Sequence, residues 1–306
     1  MTIKNPTLSI RKILVDNTIL KPQDNWSSCI KKGKVGELPA LFIEHPNFSA
    51  VISLFGAQLL SYKQKDQEPL IWLSDCAKFD GTIPIRGGVP ICFPWFGAKE
   101  SSPTHGFART ALWQLDTYKI ADDRAEVALS LSYSSNTLDR WPHKFRSIIK
   151  FELGDELSIT LETTNLDSKA WVYTGALHTY LNVADVSRVS IDGVGESYFD
   201  GTNGYELTQG KVPMNIDGET IRVSIETQEE IVVSDLGHQR SISVKNSGHN
   251  AAVVWNPWKE TTSSMSDMAD DEYQNMLCVE SAIYSHEPVT VEPGETHCLS
   301  TRIVSF

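Results

Sequence analysis

Short runs of alternating apolar and polar residues recur through most of the chain and constrain its fold more than any other feature. Residues 125–133 and 157–164 are clear examples, and both are rich in aliphatic and β-branched side chains. Such alternation is the pattern of a half-buried β-strand. Turn residues such as Gly154 and Gly248 separate the runs, and helical periodicity is scarce. The pattern therefore predicts an all-β protein built as a sandwich or a barrel.

The organisation of the chain favours one domain. A chain of 306 residues can bury a large core without disulfides or metals. No linker or compositional break divides it, so we expect a single domain over residues 1–306, with residues 1–30 as a peripheral strand or arm. Short helices are expected near residues 136–139 and 267–274. The Ser-, Met- and Asp-rich residues 261–271 are expected to form a mobile loop.

Charge and cysteine content exclude several classes of protein. The net charge of −12 argues against nucleic acid or an anionic membrane as a partner. The five cysteines are odd in number and widely spaced, which is neither a disulfide framework nor a zinc pattern. No apolar run reaches the length of a membrane span. We therefore expect a cytoplasmic protein without a metal; the oligomeric state stays open, and a monomer is one of the states allowed.

Two neighbouring Gly- and Pro-rich segments, residues 85–97 and 104–109, concentrate groups that bind small polar ligands. They contain Arg86, His105 and Arg109 together with several aromatic residues. Arginine offers a rigid fork for carboxylate or phosphate, and aromatic rings offer flat apolar walls. Glycine and proline impose turns, so these segments are loops. The combination indicates a pocket for a small polar ligand, with a sugar as the usual partner of such walls.

Two ionisable residues lie inside otherwise apolar, strand-like runs. His178 lies within residues 174–181, where a buried histidine bonded to a backbone carbonyl is the ordinary explanation. Glu280 lies within residues 276–282, where burial of an unpaired carboxylate would be costly. Glu280 is therefore expected to face a cavity, a cation or a ligand. A histidine and a glutamate that face one pocket can act as a general acid and a general base.

Competing catalytic signatures are absent from the sequence. It contains no G-x-S-x-G, phosphate-binding loop, dinucleotide fingerprint or H-E-x-x-H, and its histidines show no metal-ligand spacing. Residues 253–259 form another aromatic and Pro-containing segment. They either pack at a sandwich edge or form a wall of the same pocket.

Six short segments follow one another in a recognisable order along most of the chain. They are residues 86–90 (RGGVP), 94–97 (PWFG), 105–109 (HGFAR), 177–180 (LHTY), 254–257 (VWNP) and 278–280 (CVE). Together they resemble the D-hexose-6-phosphate mutarotases, the glucose-6-phosphate 1-epimerase branch of the aldose 1-epimerase family. The resemblance extends from about residue 50 to the C-terminus.

This resemblance implies an all-β, galactose-mutarotase-like supersandwich and an isomerase that uses no cofactor. It implies that Glu280 takes the proton of the anomeric hydroxyl while His178 protonates the ring oxygen. His105 would bond the sugar near the reacting centre, with Thr104 beside it. Arg86 and Arg109 would form the substrate clamp, which includes the phosphate of a hexose 6-phosphate.

One position departs from the family pattern, and two other functions compete. Members of the family often carry an acid followed by Arg in a later strand, where this chain has Ile221 before Arg222. Asp200, Asp217 and Asp235 are alternative acids, none of them preferred. The competing functions are aldose 1-epimerisation of unphosphorylated sugars and non-catalytic binding of a sugar phosphate on the same fold. Two arginines favour a phosphorylated substrate, and retention of both His178 and Glu280 favours an enzyme.

Overall fold

The computed structural model describes residues 29–306, and these residues form 23 strands and a few short helices. The predicted N-terminal arm, residues 1–30, lies outside the described residues except for its last two. The strands are β1 (Ile30–Val35), β2 (Leu38–Glu44), β3 (Phe48–Ser53), β4 (Gln58–Gln64), β5 (Ile91–Cys92), β6 (Gln114–Ile120), β7 (Ala125–Ser132), β8 (Phe145–Leu153), β9 (Leu157–Asn165), β10 (Trp171–Tyr173), β11 (Gly175–Leu177), β12 (Tyr180–Asn182), β13 (Val189–Asp192), β14 (Ser197–Asp200), β15 (Glu206–Gln209), β16 (Met214–Asn215), β17 (Thr220–Ser224), β18 (Ile231–Asp235), β19 (Arg240–Ser247), β20 (Ala251–Asn256), β21 (Met276–Ile283), β22 (Val289–Val291) and β23 (Thr296–Ser305).

Helices are confined to short connections. The α-helices are α1 (Ser135–Leu138) and α2 (Trp258–Thr262), and 3-10 turns cover Ala108–Thr110, Val186–Arg188, Gly201–Asn203 and Glu272–Asn275. The helix expected near residues 136–139 is confirmed as α1, which begins with a capping box from Ser134. The helix expected over residues 267–274 is wrong in extent, because only its last residues form a 3-10 turn.

Two large antiparallel sheets dominate the fold. One sheet has nine strands in the order β16-β13-β18-β19-β23-β9-β8-β7-β6. The other has eight, in the order β15-β14-β17-β20-β21-β11-β5, with β12 also paired to β21. Strands β1 to β4 form a further sheet, and β10 pairs with β22. The all-β prediction is confirmed.

The main core lies between the two large sheets. Alternate residues of β9, including Leu157, Ile159 and Leu161, are fully buried and belong to one apolar cluster with Val279 and Ile283 of β21. The sheets also contact through a hydrogen bond of 3.0 Å from the Ser281 hydroxyl to the Ser300 carbonyl. The alternation read from the sequence thus places one face of each strand in a sandwich core.

Strand β21 differs from the outer strands because every one of its residues is buried. Leu277, Val279 and Ile283 face the sandwich core, whereas Cys278 and Ala282 belong to separate clusters on the opposite side of the sheet. Since successive side chains of a strand point to opposite faces, Glu280 lies on that opposite side. In the part of the chain that the structure describes, no helix has the length and apolar character needed to cross a membrane.

Candidate active site

Strand register places four side chains in a row across the eight-stranded sheet. Val223 of β17 pairs with Val253 of β20, and Val253 pairs with Glu280 of β21. Strands β11 and β12 both pair with β21, and one register runs through the short gap between them. His178 lies in this gap, directly opposite Glu280. Directly opposed residues of antiparallel strands share a face, so His178 and Glu280 meet although about a hundred residues separate them.

Local hydrogen bonds hold His178 in the gap between β11 and β12. Its backbone N–H donates to the Pro90 carbonyl at 3.0 Å, so the loop before β5 anchors it. On the other side, the Val279 N–H donates to the Thr179 carbonyl at 3.1 Å. The His178 ring stacks on Tyr180 with centroids 4.9 Å apart and meets the edge of Trp255. Contacts with these two aromatic rings therefore fix the plane of the His178 imidazole.

The two ionisable groups are close, buried and incompletely bonded. Nε2 of His178 lies 3.4 Å from Oε1 of Glu280, and the two residues are 8% and 1% exposed. Nδ1 of His178 and Oε2 of Glu280 have no hydrogen-bond partner within residues 29–306. Unpaired buried polar atoms are costly. They are the kind of exception that marks a site for chemistry or for a ligand rather than a structural pair.

Burial controls the protonation of this pair. Desolvation raises the pKa of Glu280 well above its ordinary value, an effect that the Arg109 cation opposes. Desolvation also lowers the pKa of His178 well below its ordinary value, and His105, Arg109 and Arg86 add to this effect. Both shifts favour the uncharged forms. Burial therefore favours a shared proton on the glutamate over one on the imidazole.

His105 enters the same pocket from a tight turn. Its φ of +64° and the φ of +74° at Gly106 form this turn, in which a side chain at Gly106 would collide with the Phe93 carbonyl. The Gly97 N–H donates to Nδ1 of His105 at 3.0 Å, so the ring proton resides on Nε2. Burial, followed by Arg109 and Arg86, lowers the pKa of His105 to about 3. His105 is thus a neutral donor whose ring centre is 5.8 Å from that of His178.

The two arginines have contrasting surroundings. Arg86 donates from Nε to Asp267 at 3.2 Å and from Nη1 to the Tyr180 hydroxyl at 3.0 Å. Arg109 donates from Nη2 to the Thr104 carbonyl at 2.7 Å, while its buried Nε has no hydrogen-bond partner in the described part of the chain. Within residues 29–306, no ion pair joins the Arg109 guanidinium to a carboxylate. Arg86 is therefore part of an ion pair, whereas Arg109 is not.

All six residues predicted from the sequence line one cavity of about 670 Å³: Arg86, Thr104, His105, Arg109, His178 and Glu280. Trp255, expected either at a sandwich edge or in the pocket, lines the cavity too. Thr104 contributes through its carbonyl bond to Arg109.

Part of the cavity wall escaped the sequence analysis, including Tyr205, Val223 and Tyr284. Tyr205 and Tyr284 line one side, and Ile221, Val223 and Val253 form an apolar patch beside Glu280. None of the alternative acids Asp200, Asp217 and Asp235 lines it. Asp235 instead bonds His238 and Arg240. Ile221 thus lies in the wall at the position where the family pattern has an acid. In the sequence, only the next residue, Arg222, matched that pattern.

One set of possible metal ligands also occurs here. A nitrogen of His178, the sulfur of Cys278 and an oxygen of Glu280 all lie within 4.8 Å of one another. Cys278 and Glu280 are neighbours on one strand, and only the large sequence distance to His178 concealed the set. Burial raises the pKa of the Cys278 thiol well above its ordinary value, with Glu280 adding to the effect. Because a metal binds the thiolate, this environment disfavours Cys278 as a ligand.

Comparison with known proteins defines the class. The Aldose 1-epimerase family model matches residues 39–304. A protein of Escherichia coli K12 named "Putative glucose-6-phosphate 1-epimerase" is 36% identical over 283 residues, which cover 90% of this chain and 94% of that protein. A protein of the same name from Cenchrus ciliaris is 36% identical, with 81% and 79% covered. The chain therefore belongs to the aldose 1-epimerase family and is an isomerase of the epimerase type.

Solved structures agree with this assignment. The crystal structure of YeaD from Salmonella typhimurium, described as a "putative mutarotase", superposes with a TM-score of 0.90 at 31% identity and covers 97% of this chain and 98% of that one. A galactose mutarotase-like protein from Clostridium acetobutylicum has a TM-score of 0.73 at 15% identity, with 90% and 98% covered. The second likeness concerns the fold alone. The predicted galactose-mutarotase-like architecture is confirmed.

Proposed function

We propose that the protein is a mutarotase that interconverts the α and β anomers of a hexose 6-phosphate, with glucose 6-phosphate as the first substrate to test. The observation that carries this proposal is the opposed pair His178 and Glu280, 3.4 Å apart in a cavity that also presents two arginines. The names of the relatives in Escherichia coli and Cenchrus ciliaris support the phosphorylated substrate.

The proposed reaction needs only proton transfers. Transfer of the shared proton from Glu280 to His178, 3.4 Å away, first gives a carboxylate and an imidazolium. The carboxylate then removes the proton of the anomeric hydroxyl, the bond between C1 and the ring oxygen breaks, and the imidazolium gives its proton to that oxygen. The aldehyde then rotates about its bond to C2. Ring closure on the other face reverses both transfers: the hydroxyl that re-forms the ring returns its proton to His178, and Glu280 gives its proton to the new anomeric oxygen. The open-chain stage between them has a protonated glutamate and a neutral histidine, the uncharged forms that burial favours.

The remaining predicted residues bind and orient in this proposal. Nε2–H of His105 donates to the sugar near the reacting centre. Arg86 and Arg109 bind the phosphate through charge-assisted hydrogen bonds. Glu280 is the one carboxylate among the described residues that line the cavity. Two arginines outnumber this carboxylate, so the cavity is cationic although the whole chain carries a net charge of −12. This local reversal of charge supports an anionic substrate.

Anomer exchange measured by NMR tests the proposal. The protein should accelerate exchange of fresh α-glucose 6-phosphate above the spontaneous rate, and more efficiently than that of α-glucose. Glu280→Gln, which changes one functional group and no volume, is the matched control for protein-independent acceleration. Preference for glucose would favour the aldose 1-epimerase alternative. Saturable binding of glucose 6-phosphate without any acceleration would favour the non-catalytic alternative.

We further propose that the chain is a single cytoplasmic domain that needs no metal or cofactor. The main apolar cluster supports one domain, because it joins Leu41 and Ile52 of the small N-terminal sheet to residues of both large sheets. None of the five cysteines, all within residues 29–306, forms a disulfide bond, which supports a reducing compartment. Limited proteolysis that released a stable internal fragment would contradict the single domain.

A further inference from the structure

The two arginines of the cavity differ in how their charge is balanced. Arg86 forms an ion pair with Asp267, whose Oδ2 lies 3.2 Å from both Nε and Nη2 of Arg86. The Asp267 and Arg86 side chains are 11% and 24% exposed, so solvent screens this pair little. Arg109, by contrast, has only the Thr104 carbonyl as a described hydrogen-bond acceptor. One cation is therefore compensated and the other is not.

Ser74 links the backbones of Arg86 and Asp267 through its own N–H and its hydroxyl. The Ser74 N–H donates to the Arg86 carbonyl at 3.2 Å. The Ser74 hydroxyl lies 2.8 Å from the Asp267 carbonyl oxygen and 2.6 Å from Oε2 of Glu272, and donates to one of them at a time. Glu272 also accepts from the Ala269 N–H at 2.7 Å. The segment expected to be a mobile loop is thus anchored beside the cavity.

The geometry determines which donors of Arg86 remain for a ligand. A guanidinium has five N–H groups. Nε–H and one N–H of Nη2 face Asp267, and one N–H of Nη1 faces Tyr180. One N–H of each Nη atom remains. Arg86 can therefore still donate from both Nη atoms to a ligand, but the carboxylate of Asp267 opposes its electrostatic attraction for an anion.

We propose that Asp267 determines substrate specificity: by pairing with Arg86 it cancels that cation's charge in the cavity, so that Arg109 supplies the net positive charge that selects a phosphorylated sugar. This inference rests on the proposed function. It assigns Asp267 a role opposed to phosphate binding, because its negative charge weakens the attraction between Arg86 and an anion. Arg86 then acts mainly as an oriented hydrogen-bond donor.

Asp267→Asn tests the sign of this role. Asparagine keeps the size and one acceptor for Arg86 but removes the charge. Inorganic phosphate should bind about 5–10-fold more tightly by calorimetry, and the KM for glucose 6-phosphate should fall by a similar factor. The ratio of kcat/KM for glucose 6-phosphate to kcat/KM for glucose should rise by a similar factor, because only the phosphorylated sugar carries the charge that Asp267 repels. Asp270→Asn is the matched control, because Asp270 is an exposed acid of the same segment, and it should leave all these values unchanged at equal ionic strength.

Weaker or unchanged phosphate binding in folded Asp267→Asn would overturn the inference, because Asp267 would then chiefly position Arg86. A second comparison does not depend on the folding of this single variant. Arg109→Met should weaken inorganic phosphate binding about tenfold more than the double variant Arg86→Met/Asp267→Asn, which replaces a neutral pair by a neutral pair. The reverse order would also overturn the inference.

The two proposals fail in different ways. A wild-type protein that accelerates glucose but not glucose 6-phosphate would reject the proposed substrate. The phosphate-binding measurements would still decide the role of Asp267, because they need no turnover.

Discussion

The two faces of strand β21 are equally buried but have opposite chemical character. The core face, with Leu277, Val279 and Ile283, packs into the sandwich. The cavity face holds Glu280, one of whose oxygens has no hydrogen-bond partner among residues 29–306. Packing of the first face stabilises the fold, whereas burial of the Glu280 carboxyl group on the second opposes it. The comparison shows that burial alone does not distinguish a stabilising residue from a reactive one; the partners do.

The largest expected effect lies on the cavity face. Glu280→Gln and His178→Ala should each reduce turnover at least about 10²-fold, the scale of general acid–base catalysis. Both variants should remain folded, which thermal unfolding of the same samples checks. Near-normal turnover in either folded variant would reject its catalytic role and remove the contrast between the faces.

The core face should show the opposite result. Leu277 is fully buried, and Leu277→Ala should lower the free energy of unfolding by about 2–5 kcal/mol, since it deletes buried methyl groups and leaves a cavity. Turnover per folded molecule should change by less than about threefold. Denaturant titration and active-site-normalised kinetics measure the two quantities. A large loss of turnover with intact stability would show that the faces are coupled.

Arg109→Met should have an intermediate effect that depends on the substrate. For glucose 6-phosphate, the variant should lower kcat/KM by a factor equivalent to about 1.5–3 kcal/mol, the usual contribution of a hydrogen bond to a charged group. The cost for unphosphorylated glucose should be much smaller, and Arg86→Met should show less difference between the two sugars. Equal losses for both sugars in both variants would make the arginines scaffold or hydroxyl ligands.

A smaller effect concerns stability and pH. Burial raises the pKa of Glu280 above its unfolded value, so its contribution to stability is present below the unfolded pKa and is lost as pH rises towards the folded pKa. Because glutamine does not ionise, the Glu280→Gln variant does not lose stability in this way. Its melting temperature should therefore exceed that of the wild type by a margin that grows from pH 5 to pH 8. A constant margin would mean that Glu280 is ionised in the folded protein.

The smallest expected effect is that of metal removal. Proton transfer alone suffices for ring opening, so dialysis against a chelator should leave the rate of anomer exchange unchanged. Loss of activity that one divalent ion restores would instead assign a metal to His178, Cys278 and Glu280 on the cavity face.

Local patterns predicted much of this architecture. Alternation located β7 and β9, because one face of each lies in the core. The polar exception within an apolar run identified Glu280, since an unpaired carboxylate has few reasons to be buried. The resemblance to the family then joined it to His178, and the structure brings both into one cavity.

Relations between distant segments were not accessible in this way. Asp267 is 181 residues from Arg86 in the sequence. Nothing in the local pattern of residues 261–271 indicated that this segment is held by an ion pair to Arg86. Tyr205 and Ile221 reach the cavity through the pairing of β14, β15 and β17, which alternation alone does not specify. Register converts such ordinary residues into neighbours of the reactive pair.

The apolar row that ends at Glu280 has an evolutionary consequence. Val223 and Val253 contact the cavity from strands that contribute no reactive group. Substitutions there would change what the wall admits and leave the proposed acid and base in place. New substrate ranges could then arise strand by strand, with the proposed reaction unchanged.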